Sequence, residues 1–129
     1  MLKTDIDALQ ALFKVQEGPA ITACDMENAT AVVTLTVPEQ LAWFDGHFPG
    51  NKVLPGVVQV DWAGKLAKAL FVAKDRFYQL TNIKFKSMVM PGAVMQLTLS
   101  YNAAKQSITF SFFDQSETFS SGSFKFSAS

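Results

Sequence analysis

The segment PGVVQVDWAGKLAKALFVAK, Pro55 to Lys74, decides how the rest of the chain must fold. Val57, Val58, Val60, Ala63, Leu66, Ala67, Leu70 and Phe71 recur at three- and four-residue spacing and cover much more than one narrow stripe. That pattern predicts a helix buried on most of its circumference, opened by Pro55 and Gly56. Other elements must wrap it. One residue disturbs the run: Asp61 shares a face with Val57, Val58, Gly64 and Lys65. An ionised carboxylate on an apolar face costs several kcal/mol unless it is paired, hydrogen-bonded or protonated.

The flanking sequence supplies the wrapping. Upstream, Thr4 and Asp7 resemble a capping pair, and Ile6, Leu9 and Phe13 follow at helical spacing, predicting a short amphipathic helix over 4–15 that Gly18 and Pro19 stop. ATAVVTLTV, Ala29 to Val37, places Ala31, Val33, Leu35 and Val37 on one side and Thr30, Thr34 and Thr36 on the other, the period of a half-buried strand. Residues 21–26 pair with it as a hairpin around Glu27 and Asn28. Downstream, Ile83 and Phe85 alternate with lysines, Met95, Leu97, Leu99 and Tyr101 with polar residues, and Ile108, Phe110 and Phe112 with Thr109 and Ser111. Phe124 and Phe126 form a last strand, Pro91-Gly92 and residues 102–106 are turn material, and Gly122 is read as a bulge because Phe119 falls out of register with Phe124. The order is helix, hairpin, buried helix, then antiparallel strands. One α+β domain over residues 1–129, a curved antiparallel sheet around one helix, satisfies it. The free edges of such a sheet favour pairing with a second copy.

Composition narrows the function. The 129 residues are 49% hydrophobic, and 11 Lys and Arg balance 11 Asp and Glu, so no global field draws nucleic acid or an anionic membrane. The single cysteine, Cys24, allows no internal disulfide framework, suggests no metal cluster and fits a reducing compartment. Asp5 and Asp7 break the apolar stretch that a signal peptide needs, and no run has the length of a membrane span. The expectation is a cytoplasmic protein.

The only histidine, His47, stands just before the predicted helix, among Pro49, Gly50 and Pro55. Two readings are open. In the plainer one Asp61 pairs with Lys65 on an exposed strip and His47 caps a turn. In the other they form an acid/base pair beside the positive end of a helix, whose free amides at Gly56 and Val57 hold a carbonyl oxygen.

The stretch W-F-x-G-H-F-P-G-x-x-V-x-P-G-V-V-x-x-D, Trp43 to Asp61, resembles the active-site signature of the beta-hydroxyacyl-acyl carrier protein dehydratases, which have the hot-dog fold. IKFKSMVMPG, Ile83 to Gly92, is similar to that family's strand and turn after the central helix. The resemblance implies reversible removal of water from a 3-hydroxyacyl thioester on an acyl carrier protein, giving the trans-2-enoyl product with no metal and no organic cofactor. It assigns His47 as the base that takes the proton beside the carbonyl. The amides of Gly56 and Val57 stabilise charge on the oxygen, a contribution of about 3 kcal/mol in comparable sites. Asp61 positions or protonates the departing hydroxyl, and an apolar setting would help it carry a proton. Phe48, Trp62 and Lys65 flank the substrate. The histidine and the acid facing one substrate come from opposite subunits, so a homodimer, or a heterodimer with a related subunit, is implied.

Two positions depart from the pattern. Asp61 stands where one branch has glutamate, and Lys65 replaces the glutamine common four residues after the acid. The combination GHFPGNKVLPGVVQVDWA looks most like the dehydratases of aryl polyene gene clusters. Lys65, Lys68, Lys74, Arg76, Lys84 and Lys86 form a solvated face or steer an acidic carrier protein. A hot-dog thioesterase and a non-catalytic acyl-binding partner in a heterodimer are the competing readings.

Overall fold

The helix expected from Pro55 onward is α2, Gly56–Phe71, in a computed structural model that describes residues 5–42, 53–73 and 75–127. Its buried residues are Val58, Gln59, Trp62, Ala63, Leu66 and Ala67, a broad stripe on one side. Val57, Asp61, Lys65 and Lys68 remain exposed. The expected burial on most of the circumference is therefore corrected to one face, because a single sheet covers a helix from one direction only.

The remaining elements are α1 (Ile6–Gln10), β1 (Ala20–Glu27), β2 (Thr30–Thr36), β3 (Arg76–Phe85), β4 (Val94–Asn102), β5 (Ser107–Phe113) and β6 (Thr118–Ser127). Among the described residues six strands form one antiparallel sheet in the order β1-β2-β4-β5-β6-β3. After β2 the chain runs through α2 and enters the sheet again at its opposite edge. This is the curved sheet around a central helix of the hot-dog fold, as expected.

Alternation places the core. Ala31, Val33 and Leu35 on β2, Met95, Leu97 and Leu99 on β4, and Ile108, Phe110 and Phe112 on β5 are all buried, together with Trp62 and Leu66 of α2. β1 and β2 turn at Asn28, whose φ of 57° asparagine tolerates better than most side chains. The aromatic rings continue one layer: Phe77 stacks on Phe124 and Tyr101 on Phe126.

Three boundaries differ from the expectations. α1 has five residues, not the helix over 4–15, and Asp5 caps it through the amides of Asp7 and Ala8, while Thr4 lies outside the described residues. The Gln10 side chain leaves the helix register to bond the Pro19 carbonyl and the Ile21 amide, which fixes the chain's turn into β1. β3 begins at Arg76, well before Ile83. Finally, the β5–β6 register shifts between Phe112 and Phe113, whose partners Ser120 and Thr118 leave Phe119 as the extra residue. Gly122 lies at a second irregularity: the β3–β6 register shifts between Thr81 and Lys84, whose partners Ser123 and Ser121 leave Asn82 and Ile83 opposite Gly122 alone, so the expected bulge is there and its extra residue is on β3. Gly122 also lies opposite Phe110, and a Cβ there would stand 2.3 Å from Ile83 Cδ1 and 2.7 Å from the Phe110 ring. Close packing against Ile83 of that bulge and against Phe110 requires glycine.

Candidate active site

The site is built on the first two turns of α2. Pro55, extended at φ −59° and ψ 145°, precedes the helix, and its carbonyl accepts from the amides of Val58 (3.1 Å) and Gln59 (3.3 Å). The first amides of a helix have no partner within it. Those of Gly56 and Val57 therefore offer donors and the positive end of the helix dipole. Gly56 also permits close approach: a Cβ there would meet the Phe85 ring of β3 at 2.6 Å.

One and a half turns on, Asp61 lines a cleft of about 350 Å³ with Phe13, Val57, Val58 and Lys65. Lys14 and Glu17 complete its wall. Three of the expected site residues, Val57, Asp61 and Lys65, are thus brought together. Asp61 Oδ2 and Lys65 Nζ are 3.1 Å apart with side chains 49% and 48% exposed, so within one chain the carboxylate is paired and half in solvent, not enclosed by apolar groups. The expectation of an apolar setting for Asp61 is corrected to that extent. The Lys65 ammonium also stands 5.7 Å from the centroid of the Phe13 ring.

Trp62 does not line the cleft. It is wholly buried, its indole donates to the Glu17 carbonyl at 3.0 Å, and the Phe13 ring meets it edge-on. The residue expected to flank substrate instead fastens the segment after α1 over α2. That segment supplies Phe13, Lys14 and Glu17, which sequence reasoning had not assigned to the site; helical spacing placed Phe13 on α1, and only the early end of that helix brings it here. His47 and Phe48 lie outside the described residues.

The basic residues also divide. Lys65 and Lys68 are on the open side of α2, while Lys84 and Lys86 line a polar cleft with Lys105 and Lys125 among the serines and threonines of the sheet's outer face. Lys74 is outside the described residues. The sheet separates the two groups, so they do not form one patch.

A buried residue of another kind stands between helix and sheet. Gln59 donates through Nε2 to the Leu54 carbonyl at 3.3 Å and accepts at Oε1 from Ser120 Oγ of β6 at 2.7 Å. An apolar-periodicity argument has no place for it. The signal was a polar residue on the face that turned out to be buried.

Among solved structures, the dehydratase heterocomplex ApeI:P from Xenorhabdus doucetiae is similar at a TM-score of 0.78 with 30% identity, covering 84% of this chain and 96% of that one. An uncharacterized protein from Erwinia carotovora subsp. atroseptica aligns at 0.74 with 34% identity, covering 85% and 96%. The 3-hydroxyacyl-[acyl-carrier-protein] dehydratase FabZ of Oenococcus oeni is 33% identical over 89 residues, 64% of this chain and 63% of the relative's length. The match thus spans less than two thirds of that relative. The profile described as ApeI-like, ApeI dehydratase, matches residues 23–123, from β1 through β6. With the signature, the sheet order and the amide-bearing start of α2 all inside that span, the chain belongs to the ApeI-like dehydratase family.

Proposed function

We propose that this protein removes water from 3-hydroxyacyl thioesters carried on an acyl carrier protein, in the cytoplasm and within aryl polyene or related fatty-acid-like synthesis. The observation that carries the reading is the placement of Asp61 in a cleft with Val57 and Lys65, one and a half turns from the start of α2, in a chain of this family. The thioester carbonyl accepts from the Gly56 amide, with Val57 beside it, and this polarises the adjacent C–H bond. His47 takes that proton. Electrons left on carbon form the C2–C3 double bond as the C3–O bond breaks, and the hydroxyl leaves as water with a proton delivered through Asp61. For Asp61 to deliver one, Lys65 must give up its 3.1 Å pairing during the cycle. No step calls for a metal or organic cofactor.

The open side of α2 supports a second hot-dog subunit as partner. Val57 is 75% exposed, and β3, a ten-residue edge strand, presents Tyr78, Leu80 and Phe85 to solvent. Apolar residues on an unpaired edge are stable when another strand or subunit covers them. Covering this side would remove water from around Asp61 and bring a second chain's residues to it.

The test is turnover of a 3-hydroxyacyl carrier thioester, followed by enoyl absorbance. Wild type is expected to form the enoyl product and His47→Ala to lose at least a hundredfold in rate, the usual range for a general base. Free thiol appearing faster than enoyl product would instead identify a thioesterase.

A further inference from the structure

We propose that Gln59 is a positioning residue that aims the Gly56 amide, acting through the carbonyl of Leu54; the inference rests on the dehydratase reading, in which that amide faces the thioester oxygen. A trans peptide unit is planar, so the direction of the Pro55 carbonyl fixes the direction of the Gly56 N–H on the same plane. Gln59 holds this plane through its own backbone amide, 3.3 Å from the Pro55 oxygen. It holds the preceding plane as well, through Nε2 and the Leu54 oxygen at 3.3 Å. Because residue 55 is proline, the Leu54–Pro55 unit has no N–H of its own, and Leu54 O is the only hydrogen-bonding group by which it can be held. One residue thus secures two consecutive peptide planes ahead of the helix.

The tether is anchored on the sheet. Ser120 donates to Gln59 Oε1 at 2.7 Å, and both side chains are buried, Gln59 at 3% and Ser120 at 0% exposure. Since a carbonyl only accepts and Ser120 needs an acceptor, the carboxamide has one orientation that satisfies both. Ser120 is paired across the sheet with Phe85, whose ring lies against Gly56. Gly56 is therefore set between a ring from β3 and a peptide unit tied to β6. The Leu54 amide, bonded to the Val89 carbonyl at 2.8 Å, holds the same turn from its other end.

An oxyanion donor acts only at the right place, and misplacement of the order of 1 Å costs roughly a hundredfold in rate. Gln59→Met keeps length and volume and removes both bonds. In this variant kcat should fall tenfold or more with KM within about threefold, because the donor matters most where charge develops. Ser120→Ala, which leaves the Leu54 bond in place, should lose less. The second readout is the amide resonance of Gly56 in ¹⁵N-labelled protein, which should move in Gln59→Met while amides of β1 and β2 stay put. A folded Gln59→Met protein with wild-type kcat, or with an unmoved Gly56 amide, overturns the inference. If Gln59→Met does not fold, Gln59→Leu, which also lacks the bond to the Leu54 carbonyl, decides on the same two measurements. If wild type forms no enoyl product, the dehydratase reading falls, and the Gly56 resonance alone decides whether Gln59 sets that amide.

Discussion

At the scale of single residues, the pair Asp61–Lys65 and the indole of Trp62 show how exposure changes the meaning of a contact. An i, i+4 ion pair with both side chains half in water contributes about 0.3–0.5 kcal/mol. Lys65→Gln should therefore shift the melting temperature by only about 2 °C, measurable by calorimetry; a loss several times larger would mean that Lys65 carries more than this pairing. Trp62 is the opposite case. Its ring is buried and its bond to Glu17, part-buried, joins residues 45 positions apart, and Trp62→Phe should cost about 1–3 kcal/mol in urea unfolding, from lost volume and an unmet carbonyl. The motif singled out Asp61 and Gly56, and the structure places the first on a cleft and the second at the start of α2. The motif did not tell Trp62, a core residue, from a substrate contact, because neighbours on a helix differ in exposure only once something is packed on one side.

At the scale of elements, strands with one buried face were legible and the edge was not. β2, β4 and β5 alternate because the sheet interior is filled on one side. β3 exposes Tyr78, Gln79 and Leu80 in succession and bends at Asn82, φ 55°, where its register with β6 shifts, so no period of two marks its first half. Gly122 illustrates a second kind of concealment. It faces the bulge of β3, as its neighbours in sequence suggest, but only its neighbours in space, Ile83 and Phe110, show that there is no room for a methyl group. Gly122→Ala should destabilise by about 1–3 kcal/mol through overpacking. Ile83→Val removes the nearer offending atom, so the double variant should recover part of that loss. Additive chemical-denaturation energies for the two changes would show that the contact is not the cause.

At the scale of the whole molecule, the described residues of one chain leave α2 exposed on the side that carries Val57, Asp61 and Lys65, and place β3 at the edge of the sheet. If a second subunit completes the site, with His47 and Asp61 of one working site drawn from two chains, each single variant is inactive alone. A refolded equal mixture of His47→Ala and Asp61→Asn should recover about a quarter of wild-type activity, since half the dimers are mixed and each holds one intact site of two. A mixture as inactive as its components would place both residues within one subunit or make the assembly a heterodimer. What the sequence by itself determined is the order of elements, the central helix and the signature that carries the family resemblance, because hydrophobic period, proline and glycine act locally along the chain. What only tertiary structure decided is which side of α2 is covered, that Phe13 rather than Trp62 borders the cleft, and that Gln59 ties the helix start to β6. Those outcomes depend on contacts between residues far apart in sequence, where burial and hydrogen bonding are settled by the packing of sheet on helix and no local pattern records them.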